Sequence, residues 1–272
     1  LFCFLTFTIT TVFAQEPTGW IKLQSPTDET LRRLYFVDEN NGWAVSLGGK
    51  IINTTDAGDS WQVQNSMVTS PIVDIFFINP NRGWAITYPS EPPFGTTILT
   101  TSNGGTDWVK DSVFFENEIF STIHFLDENV GFIGGNGIKK TTNGGLTWTN
   151  SFIEPGGLST LPINTFSFFS KTFGYATGGR VDIAGVIWRT TDGGDNWSSI
   201  GLSPDQIYDV YIVDSLNAIS LSGDPELLYP IAIINTTDAG VSWAVDTLSF
   251  FGISFAIDFL DGKEGWSAAG YK

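Results

Sequence analysis

The chain has 272 residues, with 29 acidic against 13 basic side chains for a formal net charge of −16, and 14% aromatic residues that include 10 Trp and 22 Phe. That balance excludes nucleic acid and anionic membrane surfaces as partners, because phosphate binding needs clustered Lys and Arg. A single cysteine, Cys3, and a single histidine, His124, exclude a disulfide framework and a Cys/His metal cluster.

Leu1 to Ala14 is almost entirely apolar and gives way abruptly to Gln15-Glu16-Pro17. With Val12-Phe13-Ala14 at the switch, this reads as the apolar region and cleavage site of an export signal whose first residues precede Leu1. It is too short to span a bilayer. Residues 15–272 then read as one domain, exported (periplasmic, cell-surface or secreted), monomeric and without a membrane-spanning segment once the signal is removed. Trp20 to Gln24 aligns with the strand after each tryptophan motif below, and is expected to supply the last strand of the repeat that closes the domain.

The first full unit shows four short strands. Leu31 to Val37 alternates and ends at a polar turn, Asp38 to Asn41. Gly42 to Leu47 follows, then a Gly48-Gly49 turn, Lys50 to Thr54, a turn at Asp56 to Asp59, and Ser60 to Gln64. Short strands punctuated by Gly, Asn and Asp, with no helical periodicity of useful length, argue an all-β fold. Arg32-Arg33 is expected to end a strand at a loop.

Two motifs then recur. Phe36-Val37-Asp38 with Gly42-Trp43 returns as Phe77-Ile78-Asn79 with Gly83-Trp84, Phe125-Leu126-Asp127 with Gly131-Phe132, Phe168-Phe169-Ser170 with Gly174-Tyr175, and Phe259-Leu260-Asp261 with Gly265-Trp266. The fifth copy is worn, with Ile212-Val213-Asp214 and Ala218-Ile219. Interleaved with it is an octapeptide, Thr-x-(Asp/Asn)-x-Gly-x-x-Trp. Its fixed positions are Asp56, Gly58 and Trp61; Asn103, Gly105 and Trp108; Asn143, Gly145 and Trp148; Asp192, Gly194 and Trp197; and Asp238, Gly240 and Trp243. Successive tryptophans stand 47, 40, 49 and 46 residues apart. Four strands per unit at a period of roughly 40–50 residues is the signature of a β-propeller, here with about six four-stranded antiparallel blades and a chain that stops inside its sixth repeat.

The octapeptide reads as a hairpin staple. Asp or Asn accepts hydrogen bonds from backbone N–H groups just ahead of it, and Gly supplies the positive φ. A calcium loop needs oxygen side chains at alternate positions, and each motif offers one or two. Asn103 and Asn143 keep the acceptor but not the charge. Three glycosylation sequons, at Asn53, Asn196 and Asn235, overlap these motifs and are explained by the turns.

The octapeptide resembles the Asp-box, or bacterial neuraminidase repeat, of sialidases, sortilin-type receptors and xyloglucanase-type glycosidases. The fuller unit, with Gly42-Trp43-Ala44-Val45 and Thr190-Thr191-Asp192-Gly193-Gly194-Asp195-Asn196-Trp197, is similar to the photosystem II stability and assembly factor family and its secreted bacterial relatives over roughly residues 20–272. The resemblance implies seven blades in the intact protein and a non-catalytic, cofactor-free propeller acting as a protein-binding or scaffold module. The chain departs from that family in charge, since its basic residues are few and scattered.

Alternatives are a carbohydrate-binding or adhesion protein, or an Asp-box glycoside hydrolase. A sialidase needs an arginine cluster with a Tyr/Glu pair and an acidic Asp. Only five arginines exist here, and Arg189 sits beside a box. With so many acids, a pair such as Asp182 and Asp224 can arise by chance. His124, on an inner strand, reads as a channel histidine rather than a metal ligand.

Box turns and first-to-second strand turns share one face of a propeller; second-to-third loops and blade connections share the other. The latter vary here, and binding residues favour irregular loops on a rigid frame. A protein or glycan ligand is therefore expected there, with Tyr88, Phe94 and Tyr229 as stacking groups and Glu91, Arg180, Asp182, Asp224 and Glu226 as polar ones.

Overall fold

The computed structural model describes residues 23–88, 92–224, 226, 230–249, 251–259 and 264–270. The export signal and the Trp20 to Lys22 part of the expected closing strand lie outside the described residues, as do Glu91 and Tyr229; Leu23 and Gln24 are described and take no strand conformation.

Among the described residues the secondary structure is β only, and the strands follow the repeat. Blade 1 is β1 (Leu31–Phe36), β2 (Gly42–Ser46), β3 (Ile51–Thr54) and β4 (Gln62–Gln64). Blade 2 is β5 (Ile72–Phe77), β6 (Gly83–Thr87), β7 (Gly95–Thr101) and β8 (Val109–Glu116). Blade 3 is β9 (Phe120–Phe125), β10 (Gly131–Gly135), β11 (Gly137–Thr141) and β12 (Thr149–Asn150). After the short β13 (Phe152–Ile153), blade 4 is β14 (Ile163–Phe168), β15 (Gly174–Arg180), β16 (Ala184–Thr190) and β17 (Asn196–Ser203). Blade 5 is β18 (Ile207–Ile212), β19 (Ala218–Ser222), β20 (Ala232–Thr236) and β21 (Ala244–Thr247), and β22 (Ile253–Phe259) pairs with β23 (Gly265–Gly270). Each blade is an antiparallel meander in sequence order.

Two expectations are corrected. Arg32 and Arg33 lie inside β1 rather than ending a strand at a loop. Blade 4 carries a fifth strand: β13, just past blade 3's outer edge, pairs in parallel with β17, through Phe152 N–H donating to the Asp195 carbonyl and Glu154 N–H to that of Trp197.

The first strands form the inner ring. β1 touches β5, β5 touches β9, β9 touches β14, β14 touches β18 and β18 touches β22. Near its start, each of these six strands breaks register with its neighbour, between Leu31/Arg33, Ile72/Asp74, Phe120/Thr122, Ile163/Thr165, Ile207/Asp209 and Ser254/Ile257. Such a bulge bends the strand and re-aims a side chain. Asp74 and Asp209 use this position to reach the next blade. Asp74 accepts from its own neighbour Ile75 N–H (3.0 Å) and from Ile123 N–H of β9 (2.9 Å). Asp209 accepts from Val210 N–H (2.9 Å) and Ile257 N–H of β22 (3.2 Å).

Between blades the core is aromatic, and both sequence motifs meet there. In every repeat but the fifth, the Gly opening the second strand faces the Phe that closes the first. A Cβ on Gly83 would stand 2.5 Å from the Phe77 ring, and one on Gly131 the same distance from Phe125. The vacated space lets the Phe ring lie flat. Its other face then receives the aromatic of the preceding blade: Trp43 stacks on Phe77 at 3.6 Å and 10°, and Trp84 on Phe125 at 3.6 Å and 8°. Phe132 on Phe168 repeats this at 5.0 Å and 17°. The box Trp of the same blade closes the group edge-on, as Trp108 does against Phe77 (5.9 Å, 88°) and Trp197 against Phe168 (5.9 Å, 83°). Stacked and T-shaped pairs of this kind exceed their area burial by about 0.5–1.5 kcal/mol each. The indole N–H of Trp43 and Trp84 also donates to the box carbonyls of Gly104 and Gly144 in the following blade.

Blade 5 shows the dependence in reverse. Ile212 replaces the Phe, and Ala218 then fits where the other blades have Gly. Gly83→Ala is therefore expected to destabilise the fold by about 1–3 kcal/mol through overpacking. In the Phe77→Ile background it should cost much less, so that a denaturation double-mutant cycle gives strong coupling. Additive effects would refute this account of the Gly-Phe pairing.

Candidate functional site

The box turns build one face, and all five close in the same way. The Thr Oγ1 accepts the Gly N–H at 2.9–3.0 Å, in Gly58, Gly105, Gly145, Gly194 and Gly240. It donates to the Oδ1 of Asp56, Asn103, Asn143, Asp192 or Asp238 at 2.7–3.0 Å. That Oδ1 also accepts the N–H of the residue before the Trp. The carboxylates of Asp56 and Asp238 are held down to about 2, first by the hydroxyls of Ser60 and Ser242.

A pairing rule hidden in the sequence emerges here. Where the box has Asp, the residue before the Trp donates to its Oδ2: Ser60, Asn196 and Ser242, each at 2.6 Å. Where it has Asn, that residue accepts from Nδ2: Asp107 at 2.9 Å and Thr147 at 2.8 Å. The polar atoms are thus consumed by the turn, which explains why the same position takes Asp in three boxes and Asn in two. Asn103→Asp should set two carboxylates against each other and cost about 1 kcal/mol, the net worth of a hydrogen bond. Asp107→Ser in the same chain recreates the Asp56/Ser60 arrangement and should restore the melting temperature; failure of that rescue would disprove the rule.

The inner ring brings together residues that sequence reading left scattered. Arg33 Nε meets Asp74 Oδ1 at 3.1 Å, and the pairing holds the guanidinium pKa above its ordinary value. Around the channel run Tyr35, Phe76 and His124, with ring centroids 5.0 and 4.6 Å apart, and His124 stacks in turn on Phe168 at 5.4 Å. Tyr35 Oη donates to the Phe77 carbonyl at 3.0 Å. The Asp74 and Asp209 linkages had a signal, an aspartate between apolar residues at the same place in two repeats, Ile72-Val73-Asp74-Ile75 and Ile207-Tyr208-Asp209-Val210.

Desolvation, and then the charge of Arg33, push the His124 imidazole down to about 4. The unfolded chain takes up this proton near pH 6.5. The folded chain therefore keeps its full stability above that pH and loses it as the pH falls through the window toward 4. His124→Phe should flatten this part of the melting-temperature profile; an unchanged slope would remove His124 as its source.

On the loop face, Tyr88 and Phe94 are exposed at 44% and 48%, flanking the second-to-third strand loop of blade 2. Arg180, Asp182 and Glu226 are exposed as well, on blades 4 and 5. Asp224 is not displayed as a surface ligand group: it is 1% exposed and accepts the Glu226 N–H at 2.7 Å. Sequence reading missed Asp205, in the connection from blade 4 to blade 5. It is 2% exposed, its Oδ1 accepts the Asp182 N–H at 2.8 Å, and its Oδ2 has no hydrogen-bond partner among the described residues. Burial, then the charges of Asp224 and Asp182, raise its pKa against the pull of the Asp182 N–H. A cavity of about 130 Å³ touches both Asp205 and Asp224, between β17 and blade 5. Among the described residues no group of three or more His, Cys, Asp or Glu side chains is gathered as for a metal.

No family model and no curated protein matches the chain. Solved structures do. YCF48 from Cyanidioschyzon merolae is 16% identical, with a TM-score of 0.54 over 90% of this chain and 94% of that one. The GH74 xyloglucanase from Xanthomonas campestris is 13% identical, with a TM-score of 0.65 over 84% of this chain, which spans 40% of the enzyme. The C-terminal WD40 domain of Sif2 is 14% identical, with a TM-score of 0.64 over 91% of this chain and 67% of that one. At these identities the likeness establishes the fold. Together with sequential four-stranded antiparallel sheets, it makes the chain an all-β propeller, the fold it shares with YCF48 and the xyloglucanase.

Proposed function

We propose that this propeller is an exported, non-catalytic binding module whose loop face takes a protein segment rich in basic and apolar groups. What carries the reading is the fate of the cations. Lys50 pairs with Glu29, Lys139 with Glu118, Lys140 with Asp195 and Lys171 with Asp127. Arg82 lies over the Trp84 ring at 4.4 Å and donates to the Thr101 carbonyl, and Arg189 donates to the Ala239 carbonyl of the next blade. With these bases engaged inside the molecule, the acid excess is what a partner meets. This favours complementary basic partners and argues against an acidic one. On the same face Met67, Tyr88, Phe94 and Ile183 stand 44–64% exposed on loops and blade connections, where apolar and aromatic groups favour protein contact.

A second reading, glycan binding, is favoured by one feature. Between blades 1 and 2 a groove of about 480 Å³ is lined by uncharged groups that include Asn53, Gln62 and Asn81. Amides suit the hydroxyls of a neutral sugar, and the lining lacks the carboxylate pair that glycoside hydrolysis needs.

Peptide and glycan arrays separate the two. Lys- and Arg-containing peptides with apolar neighbours should bind, and Tyr88→Ala/Phe94→Ala should weaken them at least tenfold while leaving the melting temperature unchanged. Glycan signals lost in Asn53→Ala/Gln62→Ala but indifferent to the loop variant would favour the second reading instead. Silence on both arrays would overturn the binding-module reading.

A further inference from the structure

The loop face holds one buried group whose bonding the fold leaves incomplete. Asp205 and Asp224 are acids from different blade segments, both almost wholly buried, at 2% and 1% exposure. A buried carboxylate oxygen without a donor, such as Asp205 Oδ2, is costly unless something answers it. Asp205 Oδ1 has a structural task, accepting the Asp182 N–H, but Oδ2 has none among the described residues. Asp182, whose N–H reaches Asp205 Oδ1, adds a third acid and does so at a positive φ of 58°, a backbone state that non-glycine residues seldom adopt.

The cavity against these acids has mostly apolar walls, with the hydroxyl residues Ser203, Ser222 and Thr247 among them. Leu202, Pro204, Pro230 and Val245 line it. Its volume, about 130 Å³, corresponds to about four water-sized shares of roughly 30 Å³. A hard cation such as Ca²⁺ wants six to eight oxygens around it, and two acids and three hydroxyls in a mostly apolar wall offer fewer ligand side chains than that. Arginine presents a broad planar fork that seeks both oxygens of a carboxylate, and Asp205 Oδ1 already accepts the Asp182 N–H. A lysine end matches both halves: its methylenes cover apolar surface while its compact ammonium brings three donors to the carboxylates.

We propose that this pocket between β17 and blade 5 receives a lysine side chain of the protein partner, its ammonium answering Asp205 with Asp224 beside it. The proposal rests on the binding-module reading above and names the chemistry of one anchor within it. The raised pKa of the Asp205 carboxyl agrees with a site that awaits a cation.

The test uses the whole chain and three capped pentapeptides, Gly-Ala-X-Ala-Gly with lysine, norleucine or arginine at X, titrated by NMR at neutral pH. The lysine peptide should perturb amides around Asp205, Asp224 and Leu202 and bind at least tenfold more tightly than the norleucine and arginine peptides. Asp205→Asn should remove that preference, whereas Asp195→Asn, on the box face, should not. Equal binding of the lysine and norleucine peptides would overturn the proposal, and that arm needs no variant to fold. So would a preference for lysine that survives Asp205→Asn. Stabilisation by millimolar Ca²⁺ in the wild type but not in Asp205→Asn would also overturn it, making the pocket a metal site. If the lysine preference fails while Tyr88→Ala/Phe94→Ala still abolishes array binding, the anchor is wrong and the binding module stands.

Discussion

The interlock of aromatic rings between neighbouring blades is the constraint on which the rest depends. A glycine without a Cβ leaves room for the Phe of its own blade to lie flat, as Gly83 does for Phe77. The flat ring offers one face to the preceding blade's Trp43 and one edge to its own box Trp108. Three motifs that look independent along the chain are thus parts of one contact, repeated around the ring. Because each blade completes the core of its neighbour, no blade can be removed without exposing aromatic surface. Leu31 and Leu34 on β1 are 44% and 58% exposed, while the equivalent Ile72 and Ile75 on β5, with blade 1 beside them, are 0% and 1% exposed.

This division of labour separates the two faces. On one, hydrogen-bonding capacity is spent inside the turns: Thr, Asp or Asn, Gly and the residue before the Trp saturate one another in each box. On the other, blades are joined by loops of unequal length that the interlock does not specify. The rigid ring holds those loops at fixed positions, and there the chain keeps exposed aromatic groups and acids. The internal use of Lys and Arg, as in Lys140 with Asp195 across two blades, sharpens the contrast by leaving negative charge outside.

Much of this was legible without coordinates because it is local. The box turn closes within eight residues, so its Asp, Gly and Trp could be assigned from spacing. Second strands open at the expected residue, as Gly42 and Gly83 do, because the turn before them is sterically defined. Fourth strands were less well placed: Ser60 to Gln64 was expected and Gln62–Gln64 forms, since Ser60 serves as a donor to Asp56 and stays in the turn. Arg32-Arg33 was misjudged because the acid that attracts Arg33 into the ring, Asp74, belongs to the next blade. The extra strand β13 depends likewise on a pairing partner more than forty residues away.

The sequence by itself determined the blade: its four strands, its staple, and the aromatic and glycine positions, because each follows from turn chemistry and side-chain volume within one repeat. Only the tertiary structure decided which side chains from different repeats share a space. Asp182, Asp205 and Asp224 stand far apart along the chain, yet blade packing brings the first and third to the buried second. Nothing local could reveal this, because contacts across blades are set by the packing of one blade on the next and not by the spacing of residues along the chain.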